Sequence, residues 1–165
     1  MLRSIRTYGA LGAVGMAAAA ALVTAAPASA TASSAADDDF TLYAKEVPGE
    51  EDQGEEQMPK LGDAFSFADD LYQDKGGDKV GRDGVVCTVV RAGDPMDIQC
   101  VGTFVLSGGQ LTAQVLMSVP LDESAAPPVF DASITGGTDD YRGASGQVHF
   151  TDDGDYQRLD FKFGD

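Results

Sequence analysis

Phe65, Phe67, Asp69 and Leu71 recur at every second position, so an extended chain sets the carboxyl of Asp69 on one face among phenyl and leucyl side chains. Burial in such a place raises an acid's pKa unless a donor or a cation compensates. Phe40, Leu42, Ala44 and Glu46 repeat the pattern and carry a second carboxyl toward the same interior. Two carboxyls on neighbouring strands with different surroundings titrate apart and can serve as acid and base. Glu46 and Asp69 are therefore the candidate catalytic residues. The same spacing also fits carboxyls that sit at strand ends in water, or strands whose opposite face points inward.

Other polar residues carry weaker signals. His149, the one histidine, alternates with Ser145 and Gln147 and belongs on a polar outer face. Asp152-Asp153-Gly154-Asp155 lacks the ligand spacing of a calcium loop and reads as a hairpin turn. Tyr141 and Arg142 follow Asp139-Asp140 in an exposed turn, where they either line a barrel mouth or simply complete the turn. No metal-ligand spacing, phosphate loop or Ser/His/Asp set occurs, so no cofactor and no metal site is expected.

The elements that must position these residues are short strands. From Leu61 onward apolar residues recur with a period near two, broken at short intervals by Gly, Pro and Asp. The pattern predicts strands over Phe40–Val47, Ala64–Tyr72, Val80–Arg91, Met96–Leu106, Gln110–Val119, Val129–Ile134, Gly143–Thr151 and Tyr156–Phe163. No long segment carries a helical stripe. Short, regularly spaced strands suit an all-β sandwich or an eight-stranded antiparallel up-and-down β-barrel. The barrel is favoured, since that number of strands closes around an interior filled by side chains or holding one small ligand. Gly136, Gly137, Gly143 and Gly146 build a turn between the last strands.

Cys87 and Cys100 flank the turn Ala92-Gly93-Asp94-Pro95, and pairing them centres a hairpin between Gly93 and Asp94. They form either a cross-strand disulfide or two buried thiols. An exported protein favours the first, a short closed loop worth about 3 kcal/mol. If the cysteines face inward, Val85 and Val89 join the first, and Gly102, Phe104 and Leu106 the second. Leu111, Ala113, Val115 and Met117 extend that face, as do Leu159, Phe161 and Phe163. Phe65, Phe67, Val89, Phe104 and Met117 are the expected lining of the lumen.

The address precedes the fold. Arg3 and Arg6, the Ala-rich apolar run Ala10 to Ala26, and Ala28-Ser29-Ala30 together read as a signal peptide over residues 1–30. Residues 31–39 read as a disordered leader, and 40–165 as one barrel domain of a secreted protein. Cleavage removes two of the 11 basic residues and none of the 27 acidic ones, leaving a net charge of −18. That charge repels phosphate backbones and anionic lipid, so neither nucleic acid nor a membrane surface is an expected partner.

Gly62-Asp63, Phe67, Leu71-Tyr72, Val80-Gly81, Gly84, Cys87, Ile134-Thr135-Gly136-Gly137, Gly143-Ala144 and Gly146-Gln147-Val148 together resemble the plant allene oxide cyclases. Val101 to Gln110 and Gly136 to Gly146 also look like the related dirigent proteins. The resemblance implies a calycin-type barrel over residues 40–163 and a homotrimer. With Tyr43 aligned to the family's tyrosine, its lumenal glutamate falls on Ala44 and its neighbouring asparagine on Glu46. A second asparagine falls on Asp69, and a lumenal cysteine on Cys87. The function so implied is a secreted isomerase or cyclase acting on a small hydrophobic or aromatic molecule. A ligand-binding barrel without turnover, a dirigent-like chaperone of phenol coupling and a structural secreted protein are the alternatives.

Overall fold

The computed structural model describes residues 38–49, 58–122 and 124–164. The segment read as a signal peptide, all but the end of the expected leader and most of the acidic stretch between Pro48 and Pro59 lie outside the described residues. The described chain is almost wholly strand: β1 (Phe40–Glu46), β2 (Ala64–Phe67), β3 (Asp69–Tyr72), β4 (Lys79–Arg91), β5 (Met96–Leu106), β6 (Gly109–Val119), β7 (Phe130–Gly137), β8 (Gly146–Asp153) and β9 (Tyr156–Phe163). One 3-10 turn, Asp139–Tyr141, follows β7.

Every pairing is antiparallel, and the order β3-β1-β9-β8-β7-β6-β5 closes on itself through β4, which pairs with β3 on one side and β5 on the other. The result is the eight-stranded barrel expected from the strand spacing, with β2 prolonging β3 along β4. Closure removes the open edges that a sheet of this size would otherwise expose.

The stretch from Ala64 to Tyr72 departs from the single strand expected of it. It breaks at Ala68, whose carbonyl accepts the Val47 N–H at 2.9 Å. The β1 ladder ends where Glu46 meets Asp69, so β3 is held on both sides whereas β2 has only β4. Glycines decide two other junctions. At Gly137 an added Cβ would lie 2.6 Å from the Gln110 carbonyl oxygen, and at Gly146, with φ +128°, 2.1 Å from that of Lys162. Residues 135–137 consequently continue β7, and β8 starts at Gly146, later than the alternation alone indicates.

Alternation fills the interior with Leu42, Leu71, Phe104, Leu111, Val148, Leu159 and Phe161, all buried. Phe161 stacks on Phe40 at 4.5 Å between ring centroids and meets Phe104 edge-on at 5.1 Å. A second buried group, Cys87, Val89, Met96, Ile98 and Cys100, packs under the β4–β5 hairpin. Cys87 and Cys100 are cross-strand partners and form a disulfide. That bond fits an extracellular protein. Among the described residues no helix is long and apolar enough to cross a membrane.

Candidate functional site

One half of the barrel is filled by core side chains beneath an open recess beside Leu42, Leu106 and Tyr141, and the other half is hollow along its axis. Where the wall carries Gly102, Ala113 and Ala132, side chains too short to meet across the lumen leave a cavity of about 200 Å³. Gly102 and Ala113 are partners across β5 and β6, so two of these short residues lie side by side. Phe104 lines the cavity where it borders the packed half, and Phe130 and Phe150, stacked at 4.6 Å, line it nearer the start of β7. Phe65 and Phe67 lie on the wall yet remain 46% and 37% exposed, which places them at its opening.

The wall contains two acids. Asp69 begins β3 and is 8% exposed; Asp83 lies within β4 and is 6% exposed. Phe67 opposite Val85 and Leu71 opposite Gly81 carry one register past the break at Ala68, which sets Asp69 across from Asp83. The Asp69 main-chain N–H, left without a ladder partner there, donates to Asp83 Oδ1 at 3.1 Å. Their carboxyls also hydrogen-bond to each other.

Burial is the main cause that lifts Asp83 to about 8, and the negative charge of Asp69 and the hydrogen bond between the side chains add to it. Asp69 is raised as well, first by burial and further by the charges of Glu46 and Asp70, while its bond to Asp83 acts in the opposite sense. Two carboxyls in such contact do not both ionise near neutrality, and they titrate as a pair. Gln157, the inward residue one step before Leu159, adds an amide to the cavity wall. Its side chain makes no hydrogen bond among the described residues.

The structure therefore sets Asp83 beside Asp69, where the sequence suggested Glu46. Glu46 is the last residue of β1 and is exposed in a shallow recess with Pro48, Ser66 and Phe67 at the rim. It acts on Asp69 by charge only. The signal for Asp83 was present, since it has the same parity as Val85, Cys87 and Val89.

Among the expected lining residues, Phe65, Phe67, Phe104 and Met117 face the cavity, together with both cysteines of the disulfide. Val89 points inward but is sealed within the group under the β4–β5 hairpin. Tyr141 and Arg142 do not line this cavity; Tyr141 lines a separate recess with Leu42 and Leu106. Tyr141 and Arg142 follow the C-terminal end of β7, whereas Phe130 of the cavity opens that strand, so they sit at the other end of the barrel. The Tyr141 ring is buried there among the core side chains and Arg142 is exposed. His149 lies on the outer face, its Nδ1 2.8 Å from Asp131 Oδ1.

No protein-family model matches the chain, and no curated protein matches it. Among solved structures it is similar to a pyocyanin demethylase, with a TM-score of 0.62 and 27% identity over 77% of this chain and 100% of that one. The likeness in fold therefore runs over the whole of that neighbour and over most of this chain.

Proposed function

We propose that this chain is a secreted barrel that binds a small aromatic or apolar molecule in its cavity and isomerises it by proton transfer between the molecule and the Asp69–Asp83 pair. The observation that carries the reading is a hydrogen-bonded pair of buried carboxyls on the wall of a largely apolar cavity. A carboxylic acid with a pKa near neutrality is suited to give and take protons at working pH. Asp83 delivers its proton to one atom of the ligand and the Asp69 carboxylate removes one from another. The molecule changes connectivity with no net change of protons or electrons.

Size narrows the substrate. An apolar cavity of about 150 Å³ takes benzene, so about 200 Å³ suits one ring or a compact fused pair better than a long acyl chain. The resemblance to allene oxide cyclases supports an isomerase or cyclase, and the solved neighbour acts by name on pyocyanin, a small molecule. The compact cavity favours a ring over a fatty-acid epoxide. The Ala-rich leader and the disulfide support export.

The test is to isolate the protein from its native culture and identify the copurifying compound by mass spectrometry. The wild type and Asp83→Asn are then incubated with that compound, and with pyocyanin as a fixed probe, in deuterated buffer. Deuterium entering the bound molecule with the wild type, and lost with Asp83→Asn, is the expected outcome. A molecule that binds and stays unlabelled makes this a carrier and removes the catalytic role.

A further inference from the structure

Among the described residues no cation answers the charge of the acid pair. No Lys, Arg or His among the described residues lines the cavity. On β3, Asp70 adds a further negative charge, and on β1 Glu46 does the same from opposite Asp69. On β4, Arg82 is the chain neighbour of Asp83, but it is exposed and pairs across the ladder with Asp70 on the outer face. Lys79 also spends its ammonium on Asp70 outside. On β5, the residue opposite Asp83 is Phe104. The remaining wall offers the rings of Phe65, Phe67, Phe130 and Phe150, whose faces attract cations, and the unpartnered amide of Gln157.

We infer that the cavity selects a planar aromatic cation, a one- or two-ring heterocycle bearing one positive charge on nitrogen, with the Asp69–Asp83 pair as its counter-charge and the phenylalanines as its walls. The inference rests on reading the cavity as the ligand site and adds the charge of what enters it. A neutral aromatic of the same shape gains the apolar contacts and leaves the pair as it was. A cation removes the cost of a buried, unpaired carboxylate. The negative charge of the whole chain, −16, also draws cations toward the opening.

Proton linkage gives the inference a signature. A cation stabilises the less protonated form of the pair, so binding expels a proton and affinity rises with pH. For one proton the rise approaches about tenfold per pH unit while the pair is protonated. It levels off above about 8, where Asp83 has ionised.

N-methylquinolinium and 1-methylnaphthalene share size and shape and differ by one charge. Fluorescence titration of each against the full chain at pH 5.5 and 8.5, with wild type and with the double variant Asp69→Asn/Asp83→Asn, tests the inference. At pH 8.5 the wild type is expected to hold the cation about tenfold or more tighter than the hydrocarbon. That advantage should shrink at pH 5.5, where the pair keeps a proton and carries less charge, and vanish in the double variant, which should still bind 1-methylnaphthalene.

Equal or weaker binding of the cation at pH 8.5 overturns the inference and leaves the cavity as a neutral ligand site. A preference that persists undiminished in the double variant also overturns it, since the charge then lies elsewhere. If neither probe binds, the ligand site itself is refuted along with the inference. Should the double variant fail to fold, the wild-type pH dependence decides alone: a cation affinity flat between the two pH values sinks the proposal.

Discussion

The two halves of this barrel are made from the same strands and differ in what the inward positions hold. Toward Tyr141 they hold Leu71, Phe104, Leu111, Leu159 and Phe161, which are buried and pack together beneath an open recess lined by Leu42, Leu106 and Tyr141. Toward the β4–β5 hairpin the wall holds Gly102, Ala113 and Ala132, and the space they leave is bounded by two acids and the exposed rings of Phe65 and Phe67. The first half holds the fold together by packing. The second accepts a cavity and a buried acid pair, both destabilising, and is braced by the Cys87–Cys100 disulfide. Stability and the proposed site thus occupy separate segments along the barrel axis, so substitutions should separate them as well.

The largest expected effect lies in the packed half. Phe161→Ala removes a ring that contacts both Phe40 and Phe104 and should cost about 3–5 kcal/mol in urea unfolding. A loss below about 1 kcal/mol would mean that this half is not the stabilising one. Next comes the brace of the hollow half. Replacing Cys87 and Cys100 together by Ser opens a link across 13 residues, and about 3 kcal/mol of stability should go with it. Thermal unfolding of the wild type with and without reductant gives the same comparison without a mutation.

An effect marked by its sign rather than its size comes from the acid pair. Asp83 has its folded pKa near 8 and an ordinary value of 3.8, so between those values the native state holds a proton that the unfolded chain has lost. Stability from this group is therefore full below about pH 4, declines as pH rises, and is lost once pH exceeds about 8. Asp83→Asn cannot titrate, and its unfolding midpoint should gain on that of the wild type between pH 5 and pH 9. Parallel pH profiles for the two proteins would show that Asp83 is not buried as an acid.

The smallest change in stability should accompany the largest change in binding. Ala113→Leu projects into existing space, so its cost should stay within about 1 kcal/mol, below that of overpacking a filled core. The two-ring probe 1-methylnaphthalene should nevertheless be excluded in a fluorescence titration. Unaltered binding would place the ligand outside the lumen.

Much of this architecture was legible in the residues themselves. Period-two alternation, punctuated by Gly, Pro and Asp, determined the strands, since a strand half-buried in a barrel must alternate. It also assigned the inner faces of β5, β6 and β9, and the midpoint of the β4–β5 hairpin brought Cys87 to Cys100. The oddity of Asp69 among phenylalanines was visible for the same reason.

Parity says which face a residue takes and is silent on which strands become neighbours. Asp83 shares its parity with Cys87, yet only the register of β3 on β4 brings it to Asp69, and only the end of the β1 ladder leaves Glu46 at the rim. The tertiary structure also decided which half is hollow. Whether Gly102, Ala113 and Ala132 open a cavity depends on what the opposite wall can reach, a sum of side-chain volumes across the closed barrel. Tyr141 likewise became part of a filled end because β7 runs the length of the barrel before the turn that carries it.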